Sequence, residues 1–410
     1  MSKVDELIRE LCPDGVQRVA LGEVAKYVRG LTYRKSDEVS EGGVPVLRAN
    51  NITLGSNRLN QDDLKRVSDH LTISEDKILG AGDTLICAGS GSKEHVGKVA
   101  FSEEDTRYAF GGFMAVIRSM SPAINPRFLF HNLSSKYFRD YLDRVLSTST
   151  INNLNARIVE AFSIPLLPLE LQEEIVRILD QFMELDRELE QEIAGRTAQF
   201  DRLREDLLSD ENYPPVPVGN LAARVSTGAT PKASEARYYQ GGDIPWLRTG
   251  EVNFGEIWET EKLITQTALD ETNVSWIAEN CVVVAISGAT AGRVAVNKIP
   301  MTTNQHCCNM QIDPEMANYR FVFHALASSY EEMKAQGRGA RGDLNISLIK
   351  GFPIPLPPLE VQEEIANKLD TFTEYIDNLK RERELRQKQY EYYRDPVSYT
   401  HLRAHETLRY

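Results

Sequence analysis

Apolar residues recur along this chain in two different rhythms. In VPVLRA (44–49), DTLICAG (83–89), FMAVIR (113–118), DIPWLRT (243–249) and NCVVVAIS (280–287), short apolar runs are bounded by Gly, Asn and Ser. That pattern predicts β-strands closed by turns. RFLFHNLSSKYFRDYLDRVL (127–146) and the segment 319–334 have helical spacing instead, so residues 1–160 and 212–350 are expected to be mixed α/β domains. A different period holds over 170–209. There Ile175, Ile178, Phe182, Leu185, Leu189, Ile193, Phe200, Leu203 and Leu207 follow a heptad seam carrying a stutter. Val361, Ile365, Leu369, Phe372, Ile376 and Leu379 share one face of a second such helix. Each is predicted to be a long coiled-coil helix; the first would run ~60 Å at 1.5 Å per residue.

Self-similarity sets the order of these parts. IPLLPLELQEEIVRILDQF at 164–182 and IPLPPLEVQEEIANKLDTF at 354–372 are identical at 13 of 19 positions. Upstream, VPVLRANNI (44–52) resembles IPWLRTGEV (244–252), and Gly97-Lys98-Val99-Ala100 resembles Gly292-Arg293-Val294-Ala295. The chain is therefore a duplication in which the upstream parts carry different insertions. Pro165 and Pro168, like Pro355, Pro357 and Pro358, exclude helix before each block, and the Glu-rich first turns suit the positive end of a helix dipole. The expected boundaries are 1–160 for the first domain, 161–211 for the first helix, 212–350 for the second domain and 351–395 for the second helix.

The chain has 410 residues and a formal charge of −13. No stretch approaches the ~18 apolar residues of a membrane helix, and MSKVDELIRELCPDG lacks the apolar core of a signal peptide. Five cysteines without a CxxC pair suit a reducing compartment, so a cytoplasmic protein is expected. The acid is not spread evenly. Residues 1–160 hold 21 Lys and Arg against 21 Asp and Glu, and 212–350 hold 12 against 14. The helical segments hold 5 against 14 (161–211) and 7 against 10 (351–395). Net charge thus says nothing against nucleic acid at the domains, and the acidic helices read as solvated faces or partner surfaces.

Catalytic patterns are few. Asn212-Tyr213-Pro214-Pro215 has the letters of an adenine-methyltransferase loop in the wrong order. Gly91 to Val99 has one residue too many for a phosphate loop and no Ser or Thr after Lys98. Asp63 with Glu75 and Lys77 is a short nuclease-like match of low specificity. In His306-Cys307-Cys308 adjacent thiols suit burial better than one tetrahedral metal site. His70, His95, His131 and His324 lie apart from any Ser or Cys arrangement. No catalytic, cofactor or metal residue is nominated.

Two α/β domains, each followed by a helix opening with I-P-L-x-P-L-E-x-Q-E-E-I, resemble the specificity subunit of type I restriction–modification systems over residues 1–395. Leu11-Cys12-Pro13-Asp14-Gly15-Val16 with Leu21-Gly22-Glu23-Val24, and Val216-Pro217-Val218-Gly219, are also similar to that family. The resemblance implies a non-catalytic DNA reader of fold class α/β (mixed α+β). Two target-recognition domains would be separated by two antiparallel coiled-coil helices with pseudo-two-fold symmetry. It further implies double-stranded DNA carrying a split, asymmetric site, two methyltransferase subunits and restriction subunits as partners, with S-adenosylmethionine, ATP and Mg on those partners and none in this chain.

On that resemblance, polar residues in turns are the candidate DNA contacts, Arg for guanine, Asn for adenine and Lys or Thr for phosphate. In the first domain these are Arg29, Arg34, Lys35, Arg48, Asn50, Asn51, Lys93, Lys98 and Asn153, with Tyr33 and Ser92 beside them. The second offers Lys232, Arg248, Thr290, Arg293, Arg338, Arg341 and Asn345, with Thr230, Arg237, Thr249, Ser287, Asn304 and Gln305. Ile175, Phe182, Leu189, Ile365, Phe372 and Leu379 are expected to pack helix on helix. Two other classes remain open from the residues alone: a stand-alone nuclease or methyltransferase, disfavoured by the missing cofactor motifs, and a coiled-coil assembly protein without DNA specificity. The second helix is expected to end before Pro396, and residues 396–410, whose PVSYTHLRAHET is similar to a translated sequencing adapter, are expected to be a non-native tail.

Overall fold

The computed structural model describes residues 3–13, 15–53, 55–146, 153–209, 212–337 and 343–399. It divides into two units, one of Met1–Glu190 with Glu382–Tyr410 and one of Gln191–Arg381. Both cuts fall inside a long helix, so each unit is a domain plus one segment of each helix.

The first unit is built on two four-stranded sheets. One orders its strands 25–29, 114–119, 84–87 and 99–101, all antiparallel. Thr84–Cys87 is central and buried at every position, which explains its unbroken apolar run. The other sheet orders 38–39, 65–67, 44–47 and 109–110, its last pair parallel through Val46↔Ala109 and Leu47↔Phe110. Helix α1 (Pro126–Ser134), capped by the Asn125 side chain, buries Phe128, Leu129, Phe130 and Leu133 against the first sheet. The chain enters beside its own exit: Gln17–Ala20 pairs antiparallel with Ser163–Leu166, leading into helix α2 (Leu169–Leu208).

The second unit repeats the plan. Five strands in the order 222–227, 307–312, 282–285, 294–297 and 256–257 face a four-stranded sheet ordered 263–264, 244–247, 301–303 and 276–277. The parallel pair recurs through Trp246↔Thr302 and Leu247↔Thr303. Helix α3 (Tyr319–Ser328) is capped by Asn318 as α1 is by Asn125, and Pro215–Pro217 pairs with Pro353–Pro355 ahead of helix α4 (Leu359–Tyr399). Cys307 and Cys308 alternate between two core clusters on opposite faces of their strand, and burial pushes both thiols up to about 12.

The long helices pack antiparallel within each unit. In the first, Phe182 stacks on Tyr393 at 5.5 Å, and Asp186 binds Arg383 at 2.9 Å and Gln387 at 2.8 Å. In the second, Phe200 meets Phe372 at 5.9 Å and the Tyr375 hydroxyl donates to Glu192 at 2.8 Å. Phe182 and Phe372 lie where the helices meet, and the expected seam needs correcting at its start. Ile175 is buried with Leu171 and Leu179, a spacing of four that turns this face into the first domain core. Ile365 and Leu369 likewise join the second domain core, which Leu203 and Leu207 also meet. Leu189 and Leu379 are buried on their helices. Helix α4 runs on to Tyr399, past Pro396, where a proline costs a backbone bond only in a terminal turn.

Candidate nucleic-acid interface

Each long helix is tied to its domain by the same part-buried polar joint. In the first unit Arg127 Nε donates to Asp180 Oδ1 at 2.8 Å, and His131 Nε2 lies 2.9 Å from the same oxygen. In the second, Arg320 Nε donates to Asp370 Oδ2 at 2.9 Å, with His324 Nε2 2.6 Å from Oδ1. Burial works against ionising Asp370, yet its bonds to His324 and Arg320 hold the carboxyl down at about 2. Burial lowers the basicity of both imidazoles, so each is a neutral ring donating to a carboxylate. Beside this, Gln172 accepts from Asn125 N at 2.8 Å and donates to Leu167 O at 2.7 Å, while Gln362 accepts from Asn318 N at 2.9 Å and donates to Pro357 O at 2.7 Å. The glutamine of the duplicated block is thus a bracket between helix and domain, and it orients each sheet on its helix.

At one edge of the first domain, loops after three strands converge on an open groove of about 870 Å³. Arg29, Tyr33, Arg48, Asn50 and Asn153 all line it, so five sequence candidates meet at one place. Arg48 sits where strand Val44–Leu47 breaks into the turn Ala49–Asn51. Its Nη2 donates to Asp63 Oδ2 at 2.9 Å and Asp63 O at 2.8 Å, while Nε is buried without a hydrogen-bond partner. Arg34 and Lys35 are exposed just beyond Tyr33, whose hydroxyl burial makes harder to ionise.

The second domain holds the matching arginine in the same way. Arg248 follows strand Ile244–Leu247, its Nη2 pairs with Glu261, and its Nε too has no hydrogen-bond partner. Both arginine side chains are 32% exposed. Each turn is closed by the residue three places on, Asn51 Oδ1 accepting from Arg48 N at 2.9 Å and Glu251 Oε1 from Arg248 N at 3.1 Å. Close backbone approach fixes the neighbouring wall: a Cβ on Gly30 would lie 2.0 Å from Gly111 O, and one on Gly228 1.7 Å from Thr303 O. Lys232 is exposed and pairs with Glu235 at 3.5 Å, Thr290 donates to Thr249 O at 2.9 Å, and Arg293 donates to Asn253 at 3.0 Å.

Several candidates require correction. Asn51 is fully buried, its amide spent on Arg48 N and on Asp62 O at 2.8 Å, so it shapes the turn and has no free edge for a base. Lys98 is buried and donates to Ile52 O at 2.7 Å; desolvation lowers its basicity, and it holds the Ile52 carbonyl in place. Asn345 is exposed but caps the helix Ile346–Gly351 by accepting from Leu348 N at 3.0 Å, as Asn155 caps Ala156–Glu160. Arg338, Arg341 and the Lys93 side chain lie outside the described residues. The expectation missed Phe113, which precedes the strand Met114–Ser119 and is 71% exposed in the groove wall.

A family profile described as "Type I restriction modification DNA specificity domain" matches residues 13–195 and again 213–387. The chain is 30% identical over 239 residues to the Type I restriction enzyme EcoR124I/EcoR124II specificity subunit of Escherichia coli, covering 55% of this chain and 59% of that one. It is 22% identical over 396 residues to the StySPI specificity subunit of Salmonella potsdam, covering 90% and 84%. A crystal structure of a type I restriction–modification S subunit from M. genitalium shares the fold with a TM-score of 0.61 over 93% of this chain and 96% of that one, at 13% identity. A chain from a solved type I restriction–modification assembly gives 0.58 over 95% and 98%, at 18% identity. No helix among the described residues is long and apolar enough to cross a membrane.

Proposed function

This chain belongs to the type I restriction–modification DNA specificity family, and from that premise we propose that it is the non-catalytic subunit that reads a split, asymmetric site on double-stranded DNA. Each domain reads one part. The observation that carries this is the arginine presented twice, Arg48 and Arg248, on the same strand-to-turn junction, held by an acidic partner and equally exposed. An arginine held at its head by a carboxylate is pre-organised, and a guanine edge or a phosphate can compete for the same nitrogens. Around this shared element the two rims carry different side chains, Asn50 and Phe113 in one domain and Gly250 and His306 in the other. Two unlike half-sites follow from two unlike rims.

The chain recruits two methyltransferase subunits and, for cleavage, restriction subunits; S-adenosylmethionine, ATP and Mg act on those partners. The domains are near neutral and the helical segments acidic, so this chain alone has little of the positive surface that phosphate binding needs. Firm binding then requires partners that close around the duplex. Co-expression with a methyltransferase subunit encoded beside it, followed by methylome sequencing, tests the proposal. A single bipartite, asymmetric methylated motif is expected. Methylation by this chain alone, or a continuous motif, contradicts it.

A further inference from the structure

Phe113 is a large apolar ring that the fold holds out in solvent. It stands in the turn Gly111–Met114, closed by Met114 N donating to Gly111 O at 2.7 Å. Its carbonyl accepts from Ala88 N at 2.8 Å and Gly89 N at 3.0 Å, so the backbone is pinned from the neighbouring loop. The ring has no room to turn inward, because Phe110 and Met114 on either side already fill the core and are fully buried. Glycines 89, 91, 111 and 112 surround it, and a Cβ on Gly89 would come within 3.3 Å of the ring. Glycines therefore form the wall immediately around the ring, and its face opens onto a groove shared with Arg29, Tyr33, Arg48, Asn50 and Asn153.

The groove's charge says what that face meets. Among the described residues its lining includes Arg29, and Arg48 paired with Asp63 at the edge, and no carboxylate in the lining itself. A partner that brings flat, apolar rings together with negative charge fits; an acidic protein loop supplies the charge without the flat ring. In the second unit His306 occupies the same place, its carbonyl held by Ile286 N at 2.9 Å, but its ring lies 3.1 Å from Gln305 Nε2, and Gln305 also accepts from Thr230. That ring is tied into a polar chain and Phe113 is not.

We propose that Phe113 is an aromatic wedge, stacking on a base of the half-site bound by the first domain and unstacking one base step there. The inference rests on the DNA-recognition function proposed above. Apolar side chains at a base step open it at a cost that depends on sequence, so the wedge makes the first domain sense deformability as well as base edges. The second domain, with His306, reads without it.

The test uses the full chain in complex with its methyltransferase subunits, and a duplex carrying the motif found by methylome sequencing. 2-Aminopurine replaces each adenine in turn and pyrrolocytosine each cytosine, so every base pair carries a probe on one strand. One position in the first domain's half-site, other than the target adenine that the methyltransferase subunit takes out of the stack, is expected to brighten on binding, and only this position is read below. Phe113→Ala should abolish that brightening and weaken binding roughly 10- to 100-fold, the span of one base–aromatic stack. Phe113→Trp should restore both, and His306→Ala should leave the brightening unchanged. Because the ring is exposed, the alanine variant should melt with the wild type. Binding of the duplex without brightening, or brightening that survives Phe113→Ala, overturns the wedge alone. Failure of the wild-type complex to bind any such duplex overturns the DNA-recognition function and the wedge with it.

Discussion

In the first unit the second ring nitrogen of His131 lies 3.3 Å from the hydroxyl of Tyr390; in the second, the position that repeats Tyr390 is Phe200, which has no hydroxyl to offer His324. The joint otherwise repeats residue for residue, Arg127, His131, Asp180 and Gln172 against Arg320, His324, Asp370 and Gln362, with Arg320 binding both carboxylate oxygens where Arg127 binds one. The rims do the reverse. Among the exposed rim side chains the arginine is retained, while Gly250 stands at the position of Asn50 and His306 at that of Phe113. The lesson is one of constraint. A buried ion pair that loses a member leaves a desolvated charge, whereas a solvated rim residue can change without harm to folding. Duplication has therefore kept the joint and freed the rim, which is what a reader of two different half-sites requires.

Breaking the joint should have the largest effect. Asp370→Ala strands Arg320 and His324, and should cost about 2–3 kcal/mol in urea unfolding, below the fully buried range because a third of the carboxylate is exposed. The same joint makes stability acid-sensitive. Asp370 titrates near 2 when folded and at 3.8 otherwise, so its contribution is complete above pH 3.8 and fades as pH falls towards 2. The histidines act earlier: folding lowers their pKa below 6.5, so stability declines as pH falls below 6.5. Asp370→Ala should flatten the pH dependence of unfolding between pH 3.8 and about 2 and, by leaving the buried His324 without its anion, steepen the decline below pH 6.5; an unchanged profile would show that the joint contributes nothing.

Next in size, Arg48→Ala should weaken binding of the cognate duplex by about 1–3 kcal/mol while leaving the melting temperature nearly unchanged, as read by fluorescence anisotropy and calorimetry. Lys98 and its neighbours sharpen the rim further. Lys98→Met should lower stability by about 1 kcal/mol through the lost bond to Ile52 and leave the salt dependence of binding intact. Arg34→Ala and Lys35→Ala should do the opposite, each reducing the slope of log K against log salt by about 1 at constant stability. The smallest expected effect tests the asymmetry itself. Tyr390→Phe makes the first joint like the second and should cost about 0.5–1 kcal/mol.

Much of this was legible in the residues. The duplicated block placed both long helices, and the strands fell where short apolar runs meet turn residues. The histidines looked scattered because their partners are distant in sequence, Asp180 lying 49 residues from His131. Yet NPRFLFH at 125–131 recurs as NYRFVFH at 318–324, so the repeat carried the signal and only tertiary packing gave it a meaning. At the rim the residue types were right and their exposure was not. Nothing local separates Arg48, a third exposed, from Lys98, buried against the Ile52 carbonyl; that depends on which segment crosses above. Phe113 was hidden for the converse reason, since FMAVIR reads as one apolar strand although its first residue lies outside it. The heptad expectation failed at Ile175 because Leu171 and Leu179 set a spacing of four that faces a domain.

The central claim is that the two domains read two halves of one site independently. It is tested most directly by methylome sequencing of cells carrying the methyltransferase subunit with the wild-type chain, with Arg48→Ala or with Arg248→Ala. One bipartite motif is expected for the wild type, relaxed in one half only by Arg48→Ala and in the other half only by Arg248→Ala. Relaxation of the same half by both substitutions, or of neither, would contradict it.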